Sequence, residues 1–259
     1  MKKSILCLIF SFFFSELANA HQVTHYATVF LGPFNASNAD FSFSLSPQSY
    51  LIKTNIKTIN FFGTVYPFTA QYKTTGNIDD NIFKTTSYQS DSKSRFNTRK
   101  KEMFYDENGR PTYRISNKNS SSKKTEILPP PDNVHTTDLQ TVLAEVISQY
   151  TNFGFCNGRF HVFDGKKSFD IVFNDEGNEN IEKNEYSPYH GKAVKCSFYA
   201  DKLGQDLDDL VFQMTLENPV YVWILQDKKT HQPFIAKLVK NSTPLGKLEV
   251  YTKNIKIKE

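Results

Sequence analysis

The sequence predicts a mainly β protein: a curled antiparallel sheet, of open-barrel or β-spiral type, with one packed amphipathic helix. Three observations predict it. Most of the chain falls into short segments that alternate polar and apolar side chains and are rich in β-branched and aromatic residues, as strands with two unlike faces require. Gly, Asn, Asp and Pro punctuate these segments at turn-like intervals. Only one stretch repeats its apolar residues at helical spacing.

In order, the predicted strands are residues 24–31, 40–45, 49–58 and 66–75, then 95–105 and 111–116. The last two flank Asp106-Glu107-Asn108-Gly109, whose Asn-Gly pair supplies the positive φ angles of a tight hairpin. Residues 117–133 are rich in Ser, Asn and Lys and end in Pro129-Pro130-Pro131, which predicts a solvated linker or long loop. Leu139, Val142, Leu143, Val146, Ile147 and Tyr150 then lie on one face of a helix over 138–152. Thr137 and Gln140 have capping-box spacing, and Gly154 is placed to end the helix. Its apolar face is expected to plug the sheet. Strands resume at 159–163 and 168–173 around the Asp164-Gly165-Lys166-Lys167 turn, and continue at 192–199, 219–226, 233–240 and 246–257.

The first twenty residues read as a cleavable export signal. Lys2 and Lys3 precede an apolar run from Ile5 to Phe14, and Ala18-Asn19-Ala20 is an A-x-A cleavage site. Cleavage after Ala20 leaves a single β-rich domain over 21–259, expected in the bacterial periplasm. Cys7 lies within the apolar run, which does not suit a lipoprotein anchor. No later segment approaches the roughly 20 apolar residues of a membrane-spanning helix. Net charge is +4, and falls to +3 without Lys2, Lys3 and Glu16. That is too weak a bias to argue for nucleic acid. Cys156 and Cys196 remain in the mature chain, and in an oxidising compartment an isolated pair is most simply a disulfide. The alternative is a pair of free or redox-active thiols.

The run from Cys156 to Asp170, with Val162-Phe163-Asp164-Gly165 at its centre, resembles the DUF3108 family, bacterial periplasmic proteins of unknown function. A second Cys follows in Ala193-Val194-Lys195-Cys196. Trp223, Pro233-Phe234-Ile235-Ala236 and the stretch from Tyr50 to Gly63 extend the resemblance over most of residues 25–255. It implies a β-rich exported domain linked to the cell envelope, and carries no catalytic signature. In outline the chain is also similar to a second periplasmic family, whose β-spiral supports envelope integrity.

No sequence motif points to catalysis, a cofactor or a metal: there is no G-x-S-x-G, H-E-x-x-H, phosphate-binding loop or dinucleotide fingerprint. Asp164 and Asp170 beside Lys166 and Lys167 read as a polar turn rather than an active site. His21, as a mature N-terminus, could chelate copper if His25, His161, His190 or His231 lay near, but a terminal His is ordinarily unstructured. His135 is most simply a loop residue. Asn174 to Glu179 reads as an acidic loop without calcium-site spacing. Lys93, Arg95, Arg99, Lys100 and Lys101 form a basic patch that suits anionic lipid or acidic glycan, or simply an exposed strand face.

The expected function is therefore a non-enzymatic envelope protein that binds a lipid, glycan or protein partner and supports envelope integrity. A concave apolar surface is expected near Tyr50, Phe61, Phe62, Tyr66, Trp223 and Phe234, although ordinary core is the commoner fate of such residues. The alternative is an envelope glycan- or lipid-modifying enzyme using Asp164, Asp170 or a histidine.

Overall fold

The computed structural model describes residues 21–119, 121–127, 136–164, 167–201 and 214–258. The expected export signal, the three consecutive prolines, His135 and Lys166 lie outside the described residues. The first eight strands are β1 (His21–Leu31), β2 (Phe34–Leu45), β3 (Ser49–Thr58), β4 (Phe68–Asp79), β5 (Ile82–Ser94), β6 (Thr98–Tyr105), β7 (Pro111–Lys118) and β8 (Ser121–Glu126). A short helix, α1 (Asn60–Val65), joins β3 to β4. The long helix α2 (Leu139–Phe153) follows, and then β9 (Gly158–Phe163), β10 (Ser168–Ile181), β11 (Gly191–Asp201), β12 (Val220–Gln226), β13 (Pro233–Thr243) and β14 (Gly246–Lys258).

All fourteen strands form one sheet, in the order β8-β7-β6-β5-β4-β3-β2-β1-β14-β13-β12-β11-β10-β9. Two meanders thus run outward from the paired terminal strands, with β1 antiparallel to β14 from Gln22↔Lys258 to Leu31↔Leu248. The two edge strands, β8 and β9, are consecutive in sequence apart from α2. No ladder joins them among the described residues, so the sheet is open. It curls far enough that residues 136–138 bridge the gap. Thr136 N–H donates to Gly109 O at 3.3 Å, Thr137 N–H donates to His161 O at 2.9 Å, and Phe163 N–H returns to Thr137 O at 3.1 Å. Lys101 Nζ on β6 reaches Asp164 O at 2.7 Å from the same side.

Helix α2 fills the interior. Val142 and Val146 pack with Val162, Ile171, Cys156 and Cys196 on one flank, and Ala144 packs with Tyr50, Ile52 and Phe83 on the other. The apolar run Val220-Tyr221-Val222-Trp223-Ile224-Leu225 is buried on both faces of the sheet. Val222 and Ile224 face α2, while Trp223 and Leu225 join Phe234, Ala193 and Tyr189 in a second cluster on the opposite side. Cys156 and Cys196 form a disulfide inside the first cluster, with Cα atoms 6.2 Å apart.

Three expectations need correction. The N-cap of α2 is Asp138, whose side chain accepts from Gln140 N and Thr141 N; Thr137 is committed to the bridge with β9, so it cannot cap. Within the expected linker at 117–133, residues 121–126 form the edge strand β8. The acidic stretch 174–179 is not a loop between strands but the middle of β10, bulged between Asp175 and Asn178 where Gly177 takes φ 83°.

Candidate functional site

A buried polar network sets the helix in place. Asp138 Oδ1 accepts from Gln140 N at 2.9 Å and Thr74 Oγ1 at 3.0 Å, while Oδ2 accepts from Thr141 Oγ1 at 2.7 Å. Burial pushes the Asp138 carboxyl up, against these hydrogen bonds, which favour its ionised form. Gln140 spans the gap to the sheet, accepting from Thr54 Oγ1 at 2.6 Å and donating to Thr74 Oγ1 at 2.9 Å. The start of α2 is therefore tied to the inner faces of β3, β4 and β5.

The other end of the helix borders a cleft of about 250 Å³, whose far wall is the start of β9 and whose lip is the β4–β5 turn. From α2 come Glu145, Gln149, Asn152 and Phe153; from the other walls come Asn81, Phe83, Asn157, Arg159 and Phe160. Asn81 takes φ 65°, a left-handed turn conformation that Asn tolerates. Arg159 is fixed by Asp170 at 2.6 Å and Asp201 at 2.8 Å, and His161 Nδ1 lies 2.8 Å from the other Asp170 oxygen.

Glu145 is the unusual group. Burial, and then the nearby Asp138 charge, push its carboxyl up to about 8, so it is neutral at pH 7. Its Oε1 and the Oε1 of Gln149 are buried and accept no hydrogen bond from the described residues. Buried acceptors are normally satisfied. A neutral acid that can donate, two acceptors lacking donors, exposed amides and aromatic walls together suit a ligand that carries hydroxyl groups along an apolar ring face.

The residues singled out from sequence do not gather at one place. Tyr50, Trp223 and Phe234 are buried in packed clusters. Phe62 lies on α1 in edge contact with Phe34 and Phe61, and Tyr66 at the end of α1 is 70% exposed. The interior side of the sheet that would have formed a concave apolar surface is occupied by α2. Strand alternation divides the basic patch: Lys100 points outward and pairs with Asp91 at 3.1 Å, whereas Lys101 turns inward to Asp164. Lys100 lines an outer groove of about 440 Å³ with Asn55, Gln71 and Lys73. Lys93, Arg95 and Arg99 flank the β5–β6 turn. Asp164 Oδ1 accepts from Lys167 N at 2.8 Å, as a turn residue does. His21 begins β1 opposite Leu45, and His25 is buried between Phe41 and Phe234.

Sequence reading missed the cleft residues Glu145, Gln149, Asn152 and Asn81. The available signal was the i, i+4, i+7 polar stripe of Glu145, Gln149 and Asn152 on a helix expected to enter the sheet.

No curated protein matches this chain. Among solved structures it is similar to a β-barrel-like protein of the domain of unknown function DUF1849 from Brucella abortus, with a TM-score of 0.50 and 7% identity over 93% of this chain and 99% of that one. At that identity the likeness is one of fold. Residues 22–252 match the family described as protein of unknown function DUF3108, and the chain belongs to that family.

Proposed function

We propose that this is a non-enzymatic periplasmic protein of the cell envelope that binds an envelope glycan in the cleft between α2 and β9, and so supports envelope integrity. The N-terminal export pattern and the Cys156–Cys196 disulfide support an oxidising compartment. One observation carries the choice of ligand. Glu145 and Gln149 line an aromatic-walled cleft, and their Oε1 atoms, covered in the unliganded protein, accept no hydrogen bond from the described residues, so a ligand that seats a donor there would satisfy them. Sugar hydroxyls supply donors, and sugar C–H faces pack on aromatic rings. An acyl chain supplies no donor.

Calorimetric titration with soluble peptidoglycan fragments and lipopolysaccharide core oligosaccharides tests this. Binding is expected to one of them, and Gln149→Ala or Asn152→Ala should weaken it roughly three- to ten-fold each, the equivalent of one hydrogen bond. If neither ligand class binds, or if affinity is unchanged in both variants, the glycan reading fails.

A second reading rests on His161 and Asp170. A carboxylate 2.8 Å from an imidazole nitrogen orients a general base, which favours a glycan-modifying enzyme. Mass spectrometry of the same fragments after incubation separates the two readings: product that disappears with His161→Ala would mean turnover.

A further inference from the structure

In an antiparallel meander, alternate turns share a rim. The rim holding the β1–β2, β3–β4, β5–β6, β7–β8, β9–β10 and β13–β14 connections and the turn before β12 differs from the opposite one. It carries seven of the eleven large apolar side chains that are exposed among the described residues. Phe34, Phe61, Val65, Tyr66 and Phe96 stand on its β1–β6 arc, and Leu216 and Leu245 continue it. Phe96 is 77% exposed at the tip of a hairpin, where no core contact explains it. Phe34 stacks on Phe61 with centroids 6.2 Å apart. Asn60 Nδ2 holds α1 to Asn35 O at 3.2 Å, so the aromatics sit on a fixed platform.

In the β1–β8 half, charge divides the same way. On this rim, segments 31–37, 57–69, 92–99 and 117–119 contain Lys57, Lys93, Arg95, Arg99 and Lys118, and no Asp or Glu. All five cations are exposed, and no ion pair among the described residues involves them. On the opposite rim of the same half, segments 46–48, 79–82 and 106–110 contain Asp79, Asp80, Asp106 and Glu107 against Arg110 alone. This half of the sheet is thus a dipole whose basic end is also its aromatic end, whereas in the β9–β14 half Asp164 and Glu217 lie on the same rim and Lys228 and Lys229 on the opposite one.

We infer that the β1–β8 arc of this rim docks the protein on an anionic bilayer surface, with Phe61, Tyr66 and Phe96 entering the headgroup layer and the five cations meeting lipid phosphates. Aromatic side chains favour that interface, and clustered Lys and Arg are drawn to anionic leaflets. A neutral protein partner would satisfy the aromatics but would not account for the absence of acidic residues from the β1–β8 arc of the rim. The site lies on turns, away from the cleft between α2 and β9, and does not depend on what the cleft binds.

Co-sedimentation of the purified full chain with phosphatidylcholine vesicles, with and without phosphatidylglycerol, tests it. The protein should sediment only with the anionic vesicles, and added salt should release it. Lys93→Glu/Arg95→Glu and Phe61→Ser/Phe96→Ser should each lower vesicle affinity by about ten-fold or more, with thermal unfolding unchanged because the side chains are exposed. Asp79→Asn/Asp80→Asn on the other rim should have no effect. Absence of sedimentation with anionic vesicles overturns the inference. So does vesicle binding that survives both rim variants, or rim variants that abolish self-association while leaving vesicle binding intact.

Discussion

Tyr50 on β3 and Thr141 on α2, 91 residues apart in the chain, share a buried hydrogen bond of 3.0 Å between their hydroxyls. The same tyrosine hydroxyl lies 3.1 Å from Thr85 on β5, and the Thr141 hydroxyl donates to Asp138 Oδ2 at 2.7 Å. The helix is therefore registered against the sheet by polar contacts of defined geometry, which oil-like packing alone would not specify. Burial raises the Tyr50 hydroxyl well above its ordinary range, so it stays a neutral donor. Tyr50→Phe should cost about 1–2 kcal/mol in urea unfolding, since Thr85 and Thr141 keep Asp138 as a partner. Gly76→Ala should cost about 3 kcal/mol or more, because a Cβ there would collide with the Tyr50 ring and with the Lys84 carbonyl oxygen.

Asp138→Ala is expected to be the most damaging single change at this end of the helix. It removes an N-cap, about 1–2 kcal/mol, and takes the carboxylate acceptor from the buried hydroxyls of Thr74 and Thr141, at about 1 kcal/mol each, while Gln140 and Tyr50 remain their other partners. Asp138→Asn should recover part of the loss, because the amide oxygen still caps Gln140 and Thr141. Urea midpoints of the two variants check the order.

The helix shows which parts of the fold were legible in sequence. Its apolar face and the left-handed Gly154 stop could be read directly, because both are local. Its cap was misread because Thr137 has a long-range partner, His161, that no local pattern announces. Strands β5 and β8 were hidden for a related reason. Ser121 to Glu126 has no apolar face at an open edge, and Thr85 to Ser94 lines a partly polar interior. The two-residue alternation that marks a strand presupposes one dry face and one wet face. The cleft was hidden because a polar stripe on an amphipathic helix normally faces water. Only the curl of the sheet brings Glu145 under β9 and removes its solvent.

His25 gives the protein an acid-sensitive point. Packed against Phe41 and Phe234, its imidazole is lowered by burial from 6.5 to about 4. Above pH 6.5 it is neutral whether folded or unfolded and contributes no pH dependence. Between 6.5 and 4 only the unfolded chain takes up the proton, so stability falls on acidification, by about 3 kcal/mol across the window. His25→Phe should flatten this part of the stability–pH curve, as followed by urea midpoints.

The disulfide joins the end of the α2 loop to β11 across 40 residues, inside the cluster that α2 packs against. On the chain-entropy account a loop of that size contributes about 4 kcal/mol as an upper estimate. The paired Cys156→Ala/Cys196→Ala variant should lose up to that amount and unfold at lower temperature. Reducing agent should lower the unfolding temperature of the natural chain and leave that of the variant unchanged.

Glu145 acts in the opposite sense to His25. Its carboxyl ionises near 4.5 in the unfolded chain and near 8 in the folded one. As pH rises through that interval the unfolded state sheds a proton that the folded state retains. Stability therefore falls with alkalinity, by as much as about 5 kcal/mol at and above pH 8. Glu145→Gln keeps the shape, cannot ionise, and should abolish the slope while raising stability at the alkaline end. The same variant bears on the cleft. If the bound glycan uses the neutral acid, Glu145→Gln should bind it with little loss at pH 6 and keep binding above pH 8, where the natural chain weakens. If the ligand requires the carboxylate, the natural chain should instead bind more tightly as pH rises, and the variant should not.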